Sequence, residues 1–151
     1  MRKILILTMS LLLVLVSCGQ ADPVENVDLA QLAEKLLAEA EFTDAMASID
    51  AGTVTMLYGI DNAKEQQVYV GSGATPEEIA LFSFATEEDA EAGLELAKMR
   101  LQDQADAFAD YNNWEMPKLD NAVVKRYGTY VVLCVSAGNE AEGILEETFG
   151  K

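Results

Sequence analysis

The chain has 151 residues, 50% of them hydrophobic, with 26 acidic residues against 10 basic ones and a formal net charge of −16. So acidic a chain is repelled by nucleic acid and by anionic lipid headgroups, which argues against both as direct partners. It contains no histidine, which removes the commonest general base and metal ligand together with the Ser-His-Asp and Cys-His arrangements.

The first element in chain order is a targeting segment. Arg2 and Lys3 precede an apolar run from Ile4 to Val16, broken only by Thr8 and Ser10. Crossing a bilayer as a helix takes about 20 residues; this run of 13 suits the apolar part of a signal peptide instead. It ends in Leu15-Val16-Ser17-Cys18, which resembles a bacterial lipobox, whose cysteine receives a diacylglyceryl group before cleavage. The expected organisation is a signal peptide over 1–17, a lipidated Cys18 and tether over 18–27, and one domain over 28–151. The alternative is ordinary secretion, with Gly19-Gln20-Ala21 as a small-x-small cleavage site. Cleavage before Cys18 leaves 134 residues with 8 basic and 26 acidic side chains, a net −18. Two acyl chains would hold such a protein stably at the outer face of the cell membrane. Cys134 is then left without an intramolecular partner, so the fold must rest on its apolar core and not on disulfides.

Asp28 to about Glu41 reads as a helix, with Leu29, Leu32, Ala33, Leu36, Leu37 and Ala40 on one stripe. Asp28 stands as its cap, and Gln31 in the capping-box position. Over residues 43–51, Thr43-Asp44 is a possible cap for a short turn of helix. The alternation of Val54, Met56, Tyr58 and Ile60 predicts a strand over Thr53 to Ile60, forming a hairpin with Gln66 to Val70. Ile79 to Ala85 reads as a central strand, with a helix starting at Thr75 as the competing assignment. Thr86 opens the longest helix, with Asp89 in the capping-box position and acids in the first turn. Ala90, Leu94, Ala97, Leu101, Phe108 and Tyr111 share one face, interrupted by the polar Gln104. Residues 112–117 end it. Ala122 to Tyr127 and Thr129 to Ser136 form a hairpin about Gly128, and Asn139 caps a final helix carrying Ile144, Leu145 and Phe149. This order predicts a single α+β domain: an antiparallel sheet of about five strands with helices packed on one face.

Few residues carry chemistry. Cys134 sits in an apolar strand, where a thiol packs as a small hydrophobe. Gly71-Ser72-Gly73 lacks the lysine and spacing of a phosphate loop and reads as a flexible connector. The acids Glu77-Glu78 and Glu87-Glu88-Asp89-Glu91 have no calcium-loop pattern and read as solvated helix starts. No catalytic residue, metal site or cofactor motif emerges. What remains is a strip along the end of the long helix: Arg100, Gln104, Phe108, Tyr111 and Trp114. Arg100 and Gln104 are one turn apart. The strip is either a binding surface through Arg100, Gln104, Tyr111 and Trp114, or packing in which Arg100 pairs with an acid.

Met56-Leu57-Tyr58-Gly59-Ile60, Glu78-Ile79-Ala80-Leu81-Phe82, Arg100…Gln104…Phe108…Tyr111 and Gly128-Thr129-Tyr130-Val131 follow one another in this order. With the lipobox, they resemble the Gram-positive lipoproteins that carry the domain of unknown function 4358, over about residues 28–149. That family usually has a proline soon after the tyrosine at the end of the long helix, where this chain has Asn112-Asn113-Trp114. The resemblance implies a lipid-anchored address and supplies no catalytic residue. The expected function is therefore a non-enzymatic binding or interaction module of the cell envelope, with an envelope protein or small ligand as partner. The rivals are a solute-capture lipoprotein serving a transporter, or an envelope enzyme working through carboxylates.

Overall fold

The computed structural model describes residues 26–150; the leader, Cys18 and the tether up to Glu25 lie outside the described residues. Helix α1 (Leu29–Glu39) starts where Asp28 accepts hydrogen bonds from the backbone N–H groups of Ala30 and Gln31, both at 3.0 Å. This is the expected cap, and it satisfies two of the donors a helix start leaves open.

The following segment departs from the expected hairpin. Residues Thr43 to Ile49 form no helical turn; they run as a loop into a two-residue strand, β1 (Ala47–Ser48). The expected strand over Thr53 to Ile60 is instead a helix, α2 (Ala51–Tyr58). Asp50 decides this: its carboxylate accepts from Gly52 N at 2.9 Å, Thr53 N at 3.1 Å and the Thr53 hydroxyl at 2.8 Å. Gly59 ends the helix at φ 69°, a left-handed conformation that costs glycine almost nothing. Val54 and Tyr58, four apart, face the core while Met56 stays exposed. The alternation in the sequence fitted either period over so short a run, and the two caps select the helix.

β2 (Glu65–Val70) therefore pairs with β1 and with β3 (Glu78–Ser83). After β3 comes α3 (Glu87–Tyr111), opened as expected by Thr86, whose hydroxyl accepts from Asp89 N at 3.1 Å and donates to the Asp89 carboxylate at 2.7 Å. Gly93 lets this helix lie close against the sheet, since a β-carbon there would come within 2.4 Å of the Phe84 ring. A 3-10 turn (Asn113–Glu115) and a short α4 (Met116–Asp120) follow, where only a chain break was expected. β4 (Val123–Tyr127) and β5 (Tyr130–Val135) form the expected hairpin, turning at Gly128. The last helix, α5 (Glu140–Phe149), forms without the expected cap. Asn139 sits at φ −120°, ψ 12°, outside the extended conformation that aims a cap at the first turn, and its side chain makes no capping bond.

The sheet runs β1-β2-β3-β5-β4 with every neighbouring pair antiparallel, and the class is α+β in one domain. The helices, however, cover both faces and not one. Ile79, Leu81, Val132 and Cys134 pack with α1 and α5, while Ala80, Phe82, Val131, Leu133 and Val135 pack with α2, α3 and α4. Ile79 to Phe82 and all of β5 are buried. Central strands apolar on both sides need cover on both sides.

Candidate functional site

The polar centre of the molecule lies where β3 begins. Glu78 shares a sheet face with Ala80 and Phe82, so its carboxylate points toward α3. α3 runs back along the sheet and brings Arg100 and Gln104, on successive turns, over that carboxylate. Arg100 Nη2 donates to Glu78 Oε2 at 2.7 Å and Nε to Oε1 at 3.3 Å. Gln104 Nε2 donates to Oε2 at 2.8 Å, and the Tyr58 hydroxyl donates to Oε1. The guanidinium also lies 5.8 Å from the Tyr58 ring centroid, a cation–π approach. Glu78 is 0% exposed. Burial pushes its pKa above the usual carboxylate range, against the opposing pull of Arg100 and Gln104.

Its neighbour Glu77 is also buried but turned to different partners. It accepts from Thr43 N at 2.9 Å, the Thr43 hydroxyl at 2.8 Å, Asp44 N at 2.8 Å and Lys118 Nζ at 2.9 Å. Burial would raise its pKa, but Lys118, Thr43 and Asp44 together outweigh that and hold the carboxyl below its ordinary value. Both acids were expected to be solvated. They are instead the most deeply placed charges in the fold, while Glu87 and Glu91 remain exposed and pair with Arg126 at 3.2 and 2.9 Å.

Beside this centre opens a cavity of about 340 Å³, lined among others by Leu57, Val70, Arg100, Asp103, Gln104 and Phe108. The loop Gly71-Ser72-Gly73 forms part of its rim. That loop is pinned: Asp44 accepts from Ser72 N and from the Ser72 hydroxyl, each at 2.7 Å, and from the Thr75 hydroxyl at 3.2 Å. These bonds, the Ser72 hydroxyl foremost, hold the Asp44 carboxyl below its usual pKa. The Ser72 amide and hydroxyl and the Thr75 hydroxyl are thus taken by an internal carboxylate.

Of the strip nominated from sequence, Arg100, Gln104 and Phe108 meet at the cavity. Tyr111 and Trp114 do not line it; they are 72% and 89% exposed, Tyr111 standing edge-on to Phe108 with ring centroids 5.9 Å apart. Sequence reasoning missed Glu78 and Tyr58. The available signal was parity: an acid in phase with Ala80 and Phe82, next to a fully apolar run, must be buried if the strand is.

Among the described residues no group of three or more acids and cysteines is placed to hold a metal ion, and no helix is long and apolar enough to cross a membrane. Cys134 is 1% exposed, and burial pushes its thiol up to about 12. It should stay unlabelled by a maleimide in the native protein and react only after denaturant is added. Labelling at the rate of a free thiol would mean that the β3–β5 centre opens readily.

No curated protein and no solved structure matches the chain. One family matches, over residues 38–136, a span from late α1 to just past β5 that contains Glu78, Arg100 and Gln104. It is narrower than the expected 28–149, omitting most of α1 and all of α5, and it covers about two thirds of the chain. The chain thus belongs to the family described as Domain of unknown function (DUF4358).

Proposed function

We propose that this protein is a lipid-anchored lipoprotein of the outer face of the cell membrane and works as a non-enzymatic binding module through the cavity beside Glu78. The anchor rests on the sequence: a 13-residue apolar run, Ile4 to Val16, too short to span a bilayer and followed by Ser17-Cys18. The binding role rests on one observation, a buried Glu78–Arg100–Gln104 cluster beside a cavity of about 340 Å³. That size falls at the small end of ligand sites, which combine an apolar lining with a few fixed polar groups. Catalysis is poorly served there. Glu78 already accepts four donated hydrogen bonds and Glu77 is held by Lys118 and the Thr43–Asp44 backbone, so neither is free to serve as a general base.

The geometry also supports an orientation. Val27 N donates to the Tyr130 hydroxyl at 3.1 Å, so the tether joins the domain near the β4–β5 turn. Tyr130 pairs with Ser83, whereas Glu78 lies at the other end of the six-residue β3, about 17 Å away at strand rise. An anchored molecule would thus carry the cavity on the side remote from its tether.

Two variants test this reading. Cys18→Ala should leave the protein unprocessed or free of the membrane fraction, with an unchanged melting temperature. Ala107→Phe places a ring in the cavity from an exposed position of α3. Envelope extract should raise the melting temperature of the full-length wild type in detergent and leave Ala107→Phe unmoved; saturation at about 100 Kd is worth about 2.7 kcal/mol. Retention of a processed Cys18→Ala protein in the membrane overturns the anchor, and equal shifts for both proteins overturn the cavity.

A further inference from the structure

We infer that the cavity and the surface around it dock a basic segment of another protein, which inserts one large apolar side chain and sets lysines or arginines beside it; this rests on the cavity being the binding site. The distribution of exposed apolar side chains carries the argument. Among the described residues, the large hydrophobics left exposed are Met56, Met99, Tyr111 and Trp114. All four belong to α2, α3 and the 3-10 turn, on the side of the sheet that holds the cavity. α1 and α5, on the opposite face, expose none. Single exposed apolar residues need no explanation, but a set gathered on one side marks an interaction surface.

The set adjoins the cavity. Met56 precedes Leu57 and Met99 precedes Arg100, both lining residues. Tyr111 stands edge-on to Phe108, another lining residue, and Trp114 follows in the 3-10 turn. A small ligand held inside about 340 Å³ leaves this rim bare. A polypeptide that fills the cavity with one side chain continues over it. Tyrosine, tryptophan and methionine are side chains that protein interfaces favour, the first two as anchors and the last for its adaptable shape.

Charge states what kind of polypeptide fits. Met99, Asp103, Asp106 and Asp110 follow one another at helical spacing, so one stripe of α3 carries an apolar rim residue and three exposed carboxylates. Asp103 lines the cavity itself. No basic residue follows Arg100 in the helix. The cations nearest in sequence are spent elsewhere: Lys98 on Glu95, Arg100 on Glu78, and Lys118 on Glu77 and Glu115. Carboxylates of one sign around an apolar surface steer and select a partner of the other sign. They disfavour a second copy of this chain, which brings its own aspartates against them, and they disfavour an anionic lipid surface.

The test is selection of a random dodecapeptide display library on the full-length protein in phosphatidylcholine nanodiscs, where no detergent competes for the cavity. Recovered sequences should carry a phenylalanine, leucine or tryptophan flanked by lysines or arginines. A selected peptide free of tryptophan should shift the emission of Trp114, the single tryptophan of the chain, to the blue as its ring leaves water. Alanine in place of the peptide's apolar residue should weaken binding about thirtyfold, the level of an interface anchor. Asp103→Asn, Asp106→Asn and Asp110→Asn combined should weaken it about tenfold at low salt, as three exposed pairs are lost, and by less at high salt. Ala107→Phe should abolish it. Enrichment of uncharged or acidic sequences, equal binding to Ala107→Phe, or an unmoved Trp114 emission overturns the basic-segment partner. So does failure to enrich any sequence while envelope extract still stabilises the wild type and not Ala107→Phe; the cavity then stands as a site for something else. A stabilising component that passes a protein-retaining filter makes that occupant a small molecule and likewise overturns the partner class alone. If the extract also fails, the binding-module reading falls with it.

Discussion

Replacing Arg100 with alanine should destabilise the domain by about 3–5 kcal/mol, the cost of stranding a buried charge without its partner. Glu78 is fully buried, and Arg100, with its side chain only 18% exposed, provides two of the four hydrogen bonds it accepts. Urea denaturation of wild type and variant at neutral pH reads the loss directly. The companion double variant, Arg100→Met with Glu78→Leu, should recover part of it, since an apolar pair replaces the buried ions with little net loss while the Tyr58 hydroxyl and the Gln104 amide lose their acceptor. A loss below about 1 kcal/mol for Arg100→Ala would place the carboxylate in a solvated environment, contrary to its burial.

The second large effect belongs to Glu77. Glu77→Gln should cost about 3 kcal/mol, as several charge-assisted bonds to the Thr43–Asp44 loop and Lys118 become neutral or vanish. Its pH dependence has a defined sign. The folded-state pKa of Glu77 is depressed, so its contribution is present above the unfolded value of about 4.3 and is lost as pH falls through the folded one. Glu78 behaves in the opposite way. Its folded-state pKa is raised, so its contribution is complete below the unfolded value and declines as pH rises toward the folded one. Stability curves from pH 3 to 7 should show the gap between wild type and Glu77→Gln widening toward neutrality. The gap between wild type and Glu78→Gln should widen toward acid. Parallel curves for the two variants would mean that the adjacent carboxyls share one environment.

Much of the fold could be read from the chain because long periodic segments state their own structure. α1, α3, α5 and the β4–β5 hairpin follow from apolar spacing and from Asp28, Thr86 and Gly128. The failures cluster in residues 43–60, where the period is too short to separate strand from helix. There Asp50, given no capping role, and Gly59, placed inside the expected strand, set the ends of α2. The one-sided sheet failed because the helix-covered faces were inferred from element order, when the unbroken burial of Ile79 to Phe82 already required cover on both sides. At the site, Arg100 and Gln104 were legible as a polar interruption of an apolar helix face. Glu78 was missed although its parity with Ala80 and Phe82 marks it as inward-facing; its partners Tyr58, Arg100 and Gln104 come from distant segments that no local pattern brings together. Tyr111 and Trp114 were grouped with them by helical spacing, but the chain turns at Asn112 and carries Trp114 into solvent.

The two edges of the sheet close off an unwanted reaction. β1 offers only two residues for pairing. β4, at the other margin, carries Lys125 bridged to Glu142 and Arg126 bridged to Glu87 and Glu91. Short borders and charged, engaged side chains are poor templates for a strand from a neighbouring molecule. Crowded copies can therefore collide repeatedly without zipping into fibrils.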